Sequence, residues 1–295
     1  GLTGDVFTQY YPLDHFRGEG VSGYLWLDDA ERFTEELFAK CGYAATYVPE
    51  KDLRKNTQMY LQTLMSYIDK GIPVIVWGHG GPPVGVYVGY EDYGKTLLYI
   101  TGNSNQPERM PLEKALAAEP DRGGGWIFVG EKKENRPLAQ IYREAICDLP
   151  RLLTTRTETY CFGAEAFRTW ANDIESGKLG VVTLETEDYW ALHTSYVCGM
   201  ATNGSCCHGF LNRARELNPD MGFLEEIGKL YKRTAEIWNK DNGKDLEALG
   251  GGFNVTLEAL RDEEKRAKIA VKIREAATCI NRVTEILQSN IADNL

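Results

Sequence analysis

The feature that most limits the fold is a change of residue pattern near position 136. Before it, helical stripes alternate with short runs rich in β-branched and aromatic residues, such as residues 72–77. After the charged segment 131–136, apolar residues recur at helical spacing almost to the end of the chain. The sequence therefore predicts an α+β fold, with an α/β domain built on an antiparallel sheet over 1–135 and an all-helical domain over 136–295.

The element pattern is detailed enough to place boundaries. The first part predicts helices at 28–40, 56–70 and 111–118, and strands at 43–48, 72–77, 84–90, 96–100 and 125–130. The second part predicts helices at 137–153, 163–176, 187–200, 205–217, 222–240 and 262–289. Gly94, in the connection 91–95, favours a hairpin between the third and fourth strands. These strands are therefore expected to pair antiparallel.

Charge and composition exclude several classes of partner. The 295 residues carry 33 Lys plus Arg against 43 Asp plus Glu, and the net charge of -10 repels a phosphate backbone. No run reaches the roughly 18 apolar residues of a membrane helix. Seven cysteines at irregular spacing, without a signal peptide, favour free thiols in a reducing compartment. The sequence thus predicts a cytoplasmic protein that binds neither nucleic acid nor membrane.

Two residues are candidates for catalysis. His79 lies in the run Gly78-His-Gly-Gly-Pro-Pro83 between two predicted strands, and loops on rigid scaffolds often carry function. The alternative is that these residues only make a sharp connection and His79 is an exposed bystander. Asn103 follows the next strand and can orient an imidazole in a Cys-His-Asn set. Its alternative is a turn residue in the left-handed conformation.

No cysteine offers itself as the nucleophile, and no metal site is predicted. Cys41 is expected at a helix C-terminus, where the helix dipole disfavours a thiolate. Cys198 and the run Cys206-Cys-His208 do not match the spacing of structural zinc sites. The remaining cysteines follow the helical packing pattern: Cys147, Cys161 and Cys279. The sequence predicts no cofactor and no metal.

Three segments carry a resemblance to a known family: Ile68-Asp-Lys-Gly-Ile-Pro-Val-Ile-Val-Trp77, Val84-Gly-Val-Tyr-Val-Gly-Tyr90 and Leu97-Leu-Tyr-Ile100. They resemble core strands of papain-like proteins related to the bacteriocin-processing cysteine peptidases, and more closely the butirosin biosynthesis protein H group. The resemblance extends to an early motif, a closing strand and a helical extension: Gly1-Leu-Thr-Gly-Asp-Val-Phe7, Gly124-Gly-Trp-Ile-Phe128 and Phe162-Gly-Ala-Glu-Ala-Phe-Arg-Thr-Trp170. It implies a papain-like first domain.

The same resemblance implies acyl-transfer chemistry. A Cys on an early helix would attack a thioester or amide, and a His at the start of a central strand would activate it. The sequence departs from this pattern twice. The Cys is expected upstream of Gly1, and Pro83 stands at the usual His position, so that His79 would have to act from four residues away.

Three hypotheses for function follow. The first is an acyltransferase or hydrolase that acts on a small-molecule or acyl-carrier substrate through His79 and Asn103. The second is a catalytically inactive relative that binds a small molecule or peptide between the two domains, in a site lined by aromatic residues: Trp77, Tyr87, Tyr90 and Trp126. The third is an interaction module that forms a homo-oligomer through the long helix at 262–289.

Overall fold

The computed structural model describes residues 1–13, 29–77, 84–102, 104, 106–116, 124–179, 189–241 and 243–291. The chain forms two compact units. The helical unit comprises residues 1–24 and 137–295, and the sheet unit comprises residues 25–136. Helices and antiparallel sheets are both present, which confirms the predicted α+β class. The described residues 1–13 group with the helical unit, whereas the sequence pattern placed them with the α/β domain.

The described elements, in chain order, are β1 (Tyr10–Pro12), α1 (Ala30–Lys40), β2 (Tyr43–Pro49), α2 (Glu50–Lys55), α3 (Thr57–Asp69), β3 (Val74–Trp77), β4 (Val84–Glu91), β5 (Thr96–Ile100), β6 (Glu108–Pro111), α4 (Leu112–Ala115), β7 (Gly125–Lys132), α5 (Leu138–Leu153), β8 (Tyr160–Phe162), α6 (Gly163–Glu175), α7 (Tyr189–Leu217), α8 (Leu224–Asn239), α9 (Leu257–Arg261) and α10 (Glu263–Ile291). Short 3-10 helices cover Asp5–Phe7 and Asp92–Gly94. None of the described helices is both long and apolar enough to cross a membrane.

The sheet unit is built on one antiparallel sheet with the strand order β2-β7-β3-β4-β5-β6. The five predicted strands and the β4–β5 hairpin are confirmed. Strand β6 was not predicted. One face of the sheet packs against α2 and α3, and Leu53, Leu64 and Trp126 belong to this core. On the other face, Phe33 and Phe38 of α1 pack on Tyr47. The sheet is thus covered on both sides.

The helical unit starts with the N-terminal segment. Strand β1 pairs antiparallel with β8, with Tyr10 opposite Phe162. The long helix α10 contacts α6 and α8, and the predicted apolar stripe of α10 is buried, as the sequence indicated: Ile269, Ile273, Ile280, Val283 and Leu287. A stripe with this spacing forms one face of a helix, so its burial supplies the core of the unit.

Helix α7 is continuous, although the sequence predicted two helices with a break between residues 200 and 205. Two residues between these positions, Asn203 and Gly204, serve packing within the continuous helix. The buried amide of Asn203 donates hydrogen bonds to the carbonyl oxygens of Val6 and Thr8, at 3.1 and 3.2 Å. At Gly204 an added Cβ would lie 2.4 Å from the Cβ of Ala235, so glycine allows α7 and α8 to approach closely. Long-range contacts therefore override a local helix-breaking signal.

Candidate functional site

The strand register of the sheet unit brings several strand ends to one end of the sheet. Trp77, the last residue of β3, pairs with Val84 at the start of β4 and with Gly125 at the start of β7. Gly125 also pairs with Pro49, the last residue of β2. Ile100, the last residue of β5, pairs with Val86, the third residue of β4. We call this the loop end of the sheet, because β2, β3 and β5 finish here while β4 and β7 begin.

The predicted catalytic residues His79 and Asn103 lie outside the described residues, as does Pro83. The described strands nevertheless fix where their connections begin. The chain leaves β3 for His79 at Trp77 and leaves β5 for Asn103 at Ile100, and both strand ends belong to the loop end of the sheet. The roles of His79 and Asn103 stay predictions.

Cys41, the sheet unit's single cysteine in the sequence, lies toward the opposite end of the sheet. It follows the last residue of α1, and its backbone N–H bonds to carbonyls of that helix. Two residues later Tyr43 opens β2, opposite Lys132 at the end of β7. The seven residues of β2 run from Tyr43 to Pro49 at the loop end, a span of about 20 Å. Cys41 is therefore too distant to act as a nucleophile at the loop end.

The predicted ligand-binding aromatics occupy different environments. Tyr87 and Trp126 are both fully buried, and their rings meet edge to face with centroids 5.7 Å apart. Burial raises the pKa of the Tyr87 hydroxyl well above its ordinary range. Tyr90 is half-buried, and its hydroxyl donates to the Asp69 carboxylate at 2.9 Å. The backbone of Trp77 ends β3. Tyr87 and Trp126 thus come together within the core, and the ligand-binding role of all four residues stays a prediction.

The loop end also carries a carboxylate that sequence reasoning missed. Glu50 is the first residue of α2, and its side chain, only 10% exposed, lies 2.6 Å from the guanidinium of Arg54. The Gly124 carbonyl accepts from both the Glu50 backbone N–H and the Tyr47 hydroxyl, each at 2.9 Å. The only sequence signal is an acidic residue in the first turn of a helix, which many solvent-exposed carboxylates share. Burial separates Glu50 from those.

A groove of about 440 Å³ lies in the helical unit, between α10 and the turn that precedes α9. Leu249, Ala267 and Val271 give it apolar walls, and Val271 is 54% exposed. Lys268, which also lines the groove, pairs with Glu264 one helical turn away at 2.5 Å. This groove could not be predicted from the sequence, because the apolar stripe of α10 marks only the buried face of the helix.

The cysteine-rich part of α7 shows no arrangement typical of a metal site. Cys198 and Cys206 are exposed, whereas Cys207 is buried with its sulfur 2.6 Å from the Asn203 carbonyl. Over the described ranges of the chain, no three His, Cys, Asp or Glu side chains are grouped so that they could hold a metal ion.

No protein-family model matches the chain, and no curated protein sequence matches it. The resemblance to papain-like proteins therefore stays a prediction.

Proposed function

We propose that the protein is a papain-like acyl-transfer or amide- and thioester-hydrolysing protein, related to the butirosin biosynthesis protein H group. In this proposal the reaction takes place at the loop end of the sheet. The observation that supports it is the antiparallel register of β3, β4 and β5. Because of that register, the connections that contain His79 and Asn103 leave the sheet at the same end.

The proposed chemistry is nucleophilic acyl transfer. His79 takes the proton of a cysteine thiol, and the thiolate attacks the carbonyl carbon of the substrate. The leaving thiol or amine takes the proton back from the imidazole, and water or an acceptor then releases the acyl group. Asn103 holds the imidazole in orientation. The resemblance to the papain-like group implies a nucleophilic cysteine on an early helix, and the proposal follows it in expecting this cysteine upstream of Gly1. Cys41, toward the other end of the sheet, does not fill this role.

Replacing His79 by alanine in the protein at its full natural length is expected to lower kcat/KM for acyl-thioester hydrolysis by at least about 100-fold, because a general base is lost. The matched control is His208→Ala. His208 is an exposed histidine on α7 whose Nε2 lies 3.0 Å from the Asn212 amide nitrogen, and its loss should leave kcat/KM unchanged. Equal rates for His79→Ala and the unaltered protein would remove His79 from the mechanism.

A second measurement locates the nucleophile. The protein is incubated with an acyl thioester, and the site of the acyl adduct is mapped by peptide mass spectrometry. A single adduct upstream of Gly1, absent in the His79→Ala variant, is the expected result. Adducts scattered over Cys41, Cys198 and Cys206 would instead indicate unspecific thiol reactivity and no active site.

Cys41, the cysteine of the sheet unit, lies too far from the loop end to act there. This position also favours a second candidate function, in which a catalytically inactive relative binds a ligand. The groove in the helical unit has a volume within the range of about 300–1,000 Å³ that is common for small-molecule sites. The walls formed by Leu249, Ala267 and Val271 suit an apolar ligand. Of the lysines that line the groove, Lys268 and Lys272 already pair with carboxylates of the protein, so Lys244 is the one that suits a ligand carboxylate. The candidate ligand class is therefore a small apolar carboxylate.

If this candidate is right, decanoate should raise Tm of the protein in a concentration-dependent, saturable way, because a ligand that binds only the folded state stabilises it. Val271→Glu, which places a charge in the groove, is expected to abolish the shift. Leu138→Glu is the control, since Leu138 is equally exposed at 55% and does not line the groove. A shift that survives Val271→Glu would place the ligand elsewhere.

A further inference from the structure

The helical unit contains two adjacent aromatic side chains with buried polar atoms that lack a partner. Trp170 of α6 is 0% exposed and His193 of α7 is 1% exposed. Within the described part of the chain, neither Trp170 Nε1 nor His193 Nδ1 makes a hydrogen bond. Leaving such a group unsatisfied costs about 1–3 kcal/mol, and native proteins rarely do so. Two such atoms on neighbouring rings indicate a missing partner.

The chemistry of that partner follows from the tautomer of His193. The imidazole Nε2 lies 2.7 Å from the carbonyl oxygen of Gly251. Because a carbonyl can only accept, Nε2 carries the proton, and Nδ1 of the neutral ring is left as an acceptor. The indole Nε1–H of Trp170 can only donate. The pair thus offers one acceptor and one donor.

The Gly251 carbonyl that orients His193 is itself held in place. The backbone N–H of Gly251 donates to the Leu246 carbonyl at 2.8 Å. An added Cβ at Gly251 would lie 2.7 Å from a side-chain carbon of Ile269, so the backbone passes close to α10 and has little room to move. The imidazole is therefore fixed in one orientation before any ligand binds, which keeps Nδ1 available as an acceptor.

The Trp170 and His193 rings are neighbours in the core of the helical unit. Their centroids are 5.4 Å apart and their planes are inclined by 56°. We propose that Trp170 and His193 together bind one hydroxyl group, whose oxygen accepts from Trp170 Nε1–H and whose proton is donated to His193 Nδ1. A carboxylate has no proton to donate to Nδ1, and an ammonium group has no lone pair to accept from the indole. A hydroxyl, from water or from a small alcohol, satisfies both atoms.

A high-resolution crystal structure tests this proposal directly. Electron density for one oxygen within about 3.2 Å of both nitrogen atoms is the expected result. Native mass spectrometry separates the two sources of the hydroxyl: a small alcohol adds its mass to the protein, whereas a single water leaves no stable mass increment. A direct hydrogen bond from Trp170 to His193, or no density between the rings, would overturn the proposal.

An NMR measurement on the unaltered protein does not depend on any variant folding. The indole proton of Trp170 should show a cross-relaxation peak to the proton of the bound hydroxyl, and its exchange with solvent should be slow. In Trp170→Phe, which keeps an aromatic ring but removes the donor, the hydroxyl resonance should be lost while the His193 Nε2–H signal remains. An indole proton without a hydroxyl neighbour in the unaltered protein would contradict the assignment.

Discussion

Replacing Gly163 by alanine is expected to lower the free energy of unfolding of the helical unit by at least about 3 kcal/mol. Gly163 opens α6 with φ at +63°, in the left-handed region that favours glycine. An added Cβ would also lie 2.2 Å from the backbone carbonyl oxygen of Leu153, the last residue of α5. A backbone atom cannot rotate away as a side chain can, so the clash has to move a whole element.

The position of Gly163 explains why such a movement would spread. Its backbone N–H points to the Gln9 carbonyl and the Thr8 hydroxyl, both at 2.9 Å, and so ties the start of α6 to the N-terminal segment. Trp170 follows two turns later on the same helix and is completely buried. A shift of α6 would therefore disturb both the β1–β8 pairing and the core beneath Trp170.

Gly243→Ala is the matched control for Gly163→Ala. Gly243 lies in the same unit with φ at +78°, but nothing comes within 4 Å of an added Cβ. Its substitution should cost only about 1 kcal/mol, the penalty of the left-handed backbone alone. Urea unfolding followed by circular dichroism at 222 nm compares the two variants. Equal losses would show that the contact with Leu153 adds nothing, and the prediction would be wrong.

The extent to which the sequence predicts this fold depends on where the deciding contacts lie. Strand β3 and the β4–β5 hairpin were predictable, because β-branched runs and Gly94 are local signals. The three-residue strands β1 and β8 were not, because each is defined by pairing with a segment some 150 residues away. The helix break predicted between residues 200 and 205 was wrong, and the close contact of Gly204 with Ala235 is likewise not visible from the local pattern.

The candidate site follows the same rule. The Gly- and Pro-rich segment around His79 could be recognised from residue type alone. Only the register of the sheet shows that this segment and the connection after β5 leave the sheet at the same end. Glu50 was missed because only burial distinguishes it from an ordinary first-turn carboxylate. His193 was missed because its polar neighbours, Trp170 and Gly251, come from distant parts of the chain.

Acidification from pH 6.5 to pH 4 is expected to destabilise the helical unit by about 3 kcal/mol through His193 alone. Burial lowers the pKa of this imidazole from its ordinary 6.5 to about 4, and the opposing effects of the Gly251 carbonyl and the Glu247 charge are smaller. The unfolded chain then takes up the proton at a higher pH than the folded one. The contribution of His193 to the free energy of unfolding is therefore complete above about pH 6.5 and is lost as the pH falls toward 4.

His193→Gln isolates this contribution, because glutamine has no group that titrates in this range. The difference in unfolding free energy between the unaltered protein and His193→Gln should change by about 3 kcal/mol between pH 7 and pH 4. His208→Gln, which removes an exposed histidine of α7, is the control variant for the loss of an imidazole. A charged His193 would also turn Nδ1 into a donor, so the hydroxyl proposed between His193 and Trp170 would lose its acceptor. Parallel pH profiles for the unaltered protein and His193→Gln would show that His193 is not buried in the neutral form.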